Sequence, residues 1–226
     1  MATRVLIVFA TSAEAEILQR LEGTVSSDGS RRFGNSIISC LVTGVGGIST
    51  AWAMKQWFSQ NFYPDLAINA GIAGSYSGKI NVGDVVMTLT DCFADMGIET
   101  GSKIITLAEA GLMDPDKFPF NKGVIVADNK FVKKAGTILK KVNGITVNTC
   151  SGSVSTIERL RRKFNPDIET MEGATFFYIC ALEKIPFLSL RAISNKVEPG
   201  NRDSWNIKLS LDNLAGKLEE ILLMLE

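Results

Sequence analysis

Between Ile168 and Asn195 the chain reads IETMEGATFFYICALEKIPFLSLRAISN, an apolar helix between two apolar strands. The first strand ends on Met171-Glu172 and the second on Ser194-Asn195. Such a strand-helix-strand unit commits the chain to an α/β architecture and predicts a βαβ crossover. In α/β folds ligands gather at the carboxyl ends of strands, so Glu172 and Asn195 are the first candidates for a functional site.

The rest of the chain repeats the alternation. Strands are predicted at Arg4 to Ala10, Ser36 to Thr43, Asp65 to Asn69, Asp84 to Leu89, Val124 to Ala127 and Ile145 to Asn148. Helices are predicted at Ala13 to Leu21, Ile48 to Gln60 and Asn129 to Lys141, and Leu112 to Phe120 reads as a surface excursion with two prolines. A final helix carries Leu211, Leu214, Leu218, Ile221, Leu222 and Leu225 at helical spacing, which suits it to cover the sheet. With 226 residues, 46% of them hydrophobic, and no linker-like stretch, one domain spanning 1–226 is expected.

Composition excludes several chemistries. Lys+Arg and Asp+Glu both number 24, and no basic block points to nucleic acid or an anionic membrane. No apolar run reaches the length of a membrane span, and the four scattered cysteines read as reduced thiols of a cytoplasmic chain. The chain has no histidine, which removes the imidazole base of Ser-His-Asp and Cys-His systems and the usual ligands of catalytic zinc. Acid-base work falls to carboxylates; neither metal nor cofactor is expected.

Two glycine-rich segments fail as phosphate loops. Thr43 to Ser49 has Ser49 where the dinucleotide fingerprint needs its third glycine, and Gly74 to Lys79 is misspaced for a P-loop, with Ile80 after the lysine. Tight turns after strands and a ligand-facing role both remain open for these glycines.

Taken in order, TGVGG, NAGIAG, VGDVV, TMEGA and RAISN resemble the nucleoside phosphorylase and nucleosidase superfamily across nearly the whole chain. Within it, AEAE near the start, NTCSGS (Asn148 to Ser153) and VEPGNRDSW (Val197 to Trp205) most resemble the futalosine hydrolases. The resemblance implies a three-layer α/β/α sandwich around a mixed, partly barrel-like central sheet, a homo-oligomer, and a small-molecule nucleoside substrate. It implies hydrolysis of the N-glycosidic bond of futalosine, releasing hypoxanthine, a step of menaquinone synthesis. Nucleosidases of aminodeoxyfutalosine or methylthioadenosine, and a non-catalytic nucleoside-binding module, are the alternatives.

Cleavage through an oxocarbenium-like sugar needs a water activator, a ribose grip and help for the leaving base. By the resemblance these are Glu14, Glu172 and Asn195. On the residues alone, Thr11-Ser12-Ala13-Glu14 reads first as a capping box, and Glu16 is the fallback base. Glu172 could simply open a helix, although its apolar neighbours Gly173, Ala174 and Phe176 give a charge little other purpose there. Asn195 stands where adenine-specific relatives have an acid; its NH2 can donate to the N7 and O6 acceptors of hypoxanthine. Asn69 and Ile72 occupy positions where phosphorylases resemble one another in carrying Arg and Ser, which favours water over phosphate as nucleophile. The same resemblance assigns substrate contacts to Met171, Gly74 and Ser151. It suggests Phe93, Phe118 and Phe120 as an apolar wall for the 5′ tail, and Arg202, with Lys196 second, for its carboxylate. Arg191, inside a strand, is expected to play a structural or supporting part.

Overall fold

The computed structural model describes residues 2–101, 103–200 and 202–225. Strand β1 (Thr3–Phe9), almost wholly buried, pairs in parallel with β4 (Ser36–Val42) on one side and β5 (Leu66–Ser75) on the other. Short strands β2 (Thr24–Val25) and β3 (Arg31–Phe33) extend the β4 edge antiparallel. From β5 the sheet runs to β12 (Phe187–Lys196), β6 (Val85–Asp91), β10 (Lys140–Thr146) and β11 (Ile168–Thr170), and β11 pairs back onto β5. These five strands therefore close into a mixed barrel-like sheet, which removes the edges an open sheet would leave. A two-residue strand, β9 (Ile125–Val126), pairs with β6, and β7 (Gly97–Thr100) forms a separate hairpin with β8 (Lys103–Thr106).

Helices surround the sheet. After α1 (Ser12–Ala15) come α2 (Gly47–Gln60), α3 (Lys130–Ala135), α4 (Val154–Phe164), α5 (Gly173–Leu182) and α6 (Ile207–Met224). Helix α5 is apolar all round because it is covered over most of its length, packing on α2 and on β10, with only Leu182 at its end exposed. The leucine stripe of α6 buries Leu214, Leu218, Ile221 and Leu222 against β12 and β5, as its spacing predicts. Among the described residues no helix is long and apolar enough to cross a membrane.

Several expectations need correction. The strand at Asp65 does not stop at Asn69; it runs through Gly71 and Gly74 to Ser75, so these glycines lie within a strand rather than in turns. The helix expected over Ala13 to Leu21 is one capped turn that tightens into a 3-10 segment, Glu16–Arg20. The helix expected to run to Lys141 ends at Ala135, with Gly136 as its cap, and Lys140 already begins β10. Helix α4 was not foreseen, although Ser153 caps it by accepting from the Thr156 amide, and Ile157 and Leu160 form its buried stripe. Finally, β11 and β12 are not paired neighbours. Both flank β5, β12 parallel and β11 antiparallel to it, so this segment is a crossover inside a closed sheet and not a simple parallel βαβ unit.

Candidate active site

Strand β5 is the spine on which the site is assembled. The Ile72 amide donates to Glu14 Oε1 at 3.1 Å, and two residues on, Gly74 pairs with Asn195 of β12 and with Glu169 of β11. Both glycines of β5 are required by close approach. A Cβ on Gly71 would stand 2.7 Å from Glu14 Oε1 and 2.7 Å from an Arg191 terminal nitrogen, and one on Gly74 would stand 3.2 Å from Asn195 Nδ2.

Glu14 is buried, and the capping box read in the sequence is present. Its Oε2 accepts from the Thr11 amide and hydroxyl, each at 3.0 Å, completing the capping box, while Oε1 faces Ile72 and the Arg191 guanidinium. The cap orients the carboxylate and leaves one oxygen toward the strand ends. Glu16 is exposed at the start of the 3-10 segment, which separates the two candidate bases by place as well as burial.

Glu172 precedes α5 as its N-cap residue, yet its side chain makes no capping bond; Oε1 instead accepts from the Gly46 amide at 2.8 Å. Gly46 has φ 89°, a conformation that favours glycine, so the TGVGG segment presents its amide to Glu172. Burial raises the proton affinity of Glu172 above that of an ordinary carboxylate; the Glu14 charge adds to this, and Arg191 with the Gly46 amide opposes it. Glu14 and Glu172 thus share one electrostatic environment, centred on the buried Arg191. Arg191 also donates to Asn69 Oδ1, and Asn69 in turn donates to the Val8 carbonyl, so the guanidinium is anchored beneath the site. The structure gives it a larger part in the site's charge than its place inside a strand suggested.

Asn195 is buried, with Oδ1 accepting from Ser194 Oγ at 2.8 Å and Nδ2 donating to the Lys196 carbonyl at 2.9 Å. An amide nitrogen carries two hydrogens, so one donor remains for a ligand. Met171 is half-buried with its sulfur 3.5 Å from Cys150 Sγ, which joins the 148–153 loop to the turn before α5.

Other expected contacts fare differently. Ser151 spends both its amide and its hydroxyl on Glu169, at 2.8 and 2.5 Å, and Tyr76 donates to the same carboxylate at 3.0 Å. Glu169, a charge inside the strand sequence IET, was missed, although a buried carboxylate there was its own signal. Phe93 and Phe120 pack on Tyr178 and line a cavity of about 500 Å³ with Met96, Met113 and Phe164; Glu14, Glu172 and Asn195 do not line it. Phe118 is exposed. Lys196 is engaged with the carbonyls of Ser77 and Ile80. Arg202 is exposed in a short 3-10 turn, Arg202–Ser204, and its charge is felt at Cys150.

Known proteins share this chain's family and fold. A family model described as the phosphorylase superfamily matches residues 4–225. The futalosine hydrolase of Thermus thermophilus is 26% identical over 185 residues, covering 80% of each chain. The 5′-methylthioadenosine/S-adenosylhomocysteine nucleosidase of Psychromonas ingrahamii is 29% identical over 189 residues, covering 80% of this chain and 78% of its own. The structure of futalosine hydrolase from Helicobacter pylori superposes with a TM-score of 0.81 over 98% of both chains at 17% identity, a likeness of fold.

Proposed function

Since the chain belongs to the phosphorylase superfamily, we propose that it is a hydrolase of N-glycosidic bonds acting on a 6-oxopurine nucleoside, with futalosine as substrate and hypoxanthine as the base released. The reading is carried by one observation: Glu14 and Asn195 are both held against β5, at Ile72 and Gly74, with Glu172 and Arg191 in the same electrostatic cluster.

In this mechanism Glu14 Oε1 takes the proton of a water as its oxygen bonds to the anomeric carbon. The carbon–nitrogen bond breaks with its electron pair passing to the purine. Glu172 accepts hydrogen bonds from ribose hydroxyls and faces the developing cation, an electrostatic contribution that grows toward the transition state. Asn195 has no proton to give; its free N–H stabilises negative charge on N7 or O6, and the base takes its proton from water. Met171 packs on the sugar and Gly74 leaves room beside Asn195. Water is favoured over phosphate because Arg191 is drawn inward to Asn69 and position 72 carries isoleucine.

The whole chain, 1–226, works as one catalytic domain without metal or cofactor, in the cytoplasm, where its four unpaired thiols stay reduced. Val45, Ile48 and Trp52 form an exposed apolar patch next to the Gly46 amide, the surface through which copies associate into a homo-oligomer.

Incubating the protein with futalosine, inosine and methylthioadenosine, with and without phosphate, and separating the released bases by chromatography tests the reading. Hypoxanthine from futalosine at a phosphate-independent rate is expected. Faster release of adenine would transfer the assignment to a methylthioadenosine nucleosidase, and binding without release would make the chain a nucleoside-binding module.

A further inference from the structure

Asp91, at the carboxyl end of β6, is fully buried and plays no part in the mechanism above. Its Oδ1 accepts from the Thr146 hydroxyl at 2.9 Å, while Oδ2 has no hydrogen-bond partner. Two glycines clear the space around that oxygen: a Cβ on Gly173 would stand 2.1 Å from Oδ2 and one on Gly144 3.0 Å. A buried carboxylate oxygen with no donor is costly, and glycines on two different elements that make room for it mark a built feature.

The contacts lead to Glu172. Because Glu172 turns its side chain to Gly46, the first amides of α5 are capped by others: Gly173 N donates to Thr170 Oγ1 at 3.2 Å and Ala174 N to Thr146 Oγ1 at 2.7 Å. Thr146 has one hydroxyl hydrogen. Donating it to Asp91 turns an oxygen lone pair to the Ala174 amide. Asp91 thereby fixes the start of the helix that carries Glu172.

We propose that Asp91 is a positioning residue for the glycosidic site, holding Glu172 through Thr146 and the first turn of α5, and sharing Arg191 with the two site carboxylates. This rests on the nucleosidase reading and deepens it. The groups facing Asp91 are Arg191 from β12, Glu172 before α5 and the Cys92 thiol that follows on its own strand, with Glu14 beyond Glu172; β10 contributes the uncharged Thr146. Asp91 and Glu172, buried beside one guanidinium, cannot both ionise freely. Burial pushes Asp91 up to about 7, so near neutrality it is only partly ionised, and its ionisation draws on Arg191 at the expense of Glu172.

Asp91→Asn keeps an acceptor for Thr146 and fixes the neutral form. The expected pH profile of kcat/KM for futalosine bends near pH 7 in the wild type and runs straight there in Asp91→Asn. A second reading needs no substrate. An aspartate raised from 3.8 to about 7 binds a proton in the folded state that the unfolded chain has released, so its contribution to stability is lost as pH rises through that window. Relative to Asp91→Asn, the wild-type Tm should therefore fall between pH 4 and 8. Thr146→Val should lower kcat/KM about tenfold, the size of one misplaced hydrogen bond, and move the bend to higher pH; Thr146→Ser should restore both. An unchanged bend in Asp91→Asn, or a constant Tm difference across pH, overturns the inference, as do Thr146 variants that behave alike. A wild type that releases no base from any nucleoside overturns the nucleosidase reading instead, and the Tm comparison still decides the state of Asp91.

Discussion

The strand-end cluster and the aromatic cavity beside residues 106–124 are built on different terms. In the first, Glu14, Glu172, Asn195 and Arg191 are buried charges and amides, each tied to backbone or a neighbouring side chain. The second is walled by half-buried Phe93 and Phe120 and edged by exposed charges, with Lys163 at the end of α4 paired to Glu109. Buried polar groups are expensive unless they are matched, so a dense set of them is retained for chemistry; an apolar hollow under loops follows from packing alone. The proposed reaction belongs with the first region, at the ends of β5, β11 and β12, while Phe93 and Phe120 line the second.

The largest effect expected from this contrast separates the regions outright. Glu14→Gln removes the base while keeping an acceptor for the cap, and should lower kcat about 10³-fold, or about 4 kcal/mol of barrier, with some loss of Tm because its NH2 meets the Ile72 amide donor. Phe120→Ala should lower Tm while leaving kcat/KM for inosine within about threefold. Steady-state kinetics and thermal melts on the two variants check this. A Phe120→Ala enzyme as inactive as Glu14→Gln would merge the two regions into one site.

How legible each region was in the sequence follows from the same physics. Glu172 and Asn195 stood out because a polar residue ending an apolar strand has few structural uses, whereas at Glu14 the capping box competed with a catalytic part and only the resemblance to the superfamily favoured the latter. Asp91 obeys the same rule, ending the strand VVMTLTD, but carries no local pattern to separate it from a solvated turn. Closure of the sheet through β11 and β5 could not be read, since pairing between strands so far apart leaves no periodic trace. The aromatic cavity could not be read for a related reason: loop residues take their direction from contacts that no spacing encodes. Gly71 and Gly74 were visible as glycines but not as strand residues, because the atoms that need the space belong to Glu14, Arg191 and Asn195, which lie on other elements.

Gly71 supplies the next test. Gly71→Ala would put a methyl group 2.7 Å from both Glu14 Oε1 and Arg191, and backbone-tied groups on both sides leave little room to yield. A loss of about 10²-fold in kcat/KM is expected, the cost of moving a reacting group by about 1 Å. Gly78→Ala, where a Cβ would meet nothing within 4 Å, is the matched control and should be near neutral. Equal losses at the two positions would mean that a general cost of replacing glycine, and not the charge cluster, sets the activity.

A smaller effect distinguishes the two acids by pH. Glu172 must be ionised to hold ribose, and its proton affinity is raised by burial and by Glu14. Nucleoside binding should therefore weaken with falling pH already above the ordinary glutamate range. In Glu14→Gln one of the raising charges is gone, so that limb should move to lower pH. Calorimetric titration of inosine into both proteins across pH 4 to 8 measures the shift; a limb that stays in place would show that the two carboxylates are not coupled.

The smallest effect is at the rim, where Arg202 stands exposed with its charge felt at Cys150 beside Met171. An exposed cation paired with a substrate carboxylate contributes at most about 1 kcal/mol, and salt screens it. Arg202→Ala should accordingly raise KM for futalosine about fivefold, leave kcat unchanged and leave KM for inosine, which lacks the acidic tail, within error. Raising ionic strength should erase most of the difference between wild type and variant for futalosine alone. Lys196 makes the informative comparison: its ammonium is already held by two carbonyls, so Lys196→Ala should act through the 75–80 turn and change both substrates alike. If instead Lys196→Ala discriminates between the substrates and Arg202→Ala does not, the carboxylate of the tail lies over the β5 end of the site and not beside the 148–153 loop.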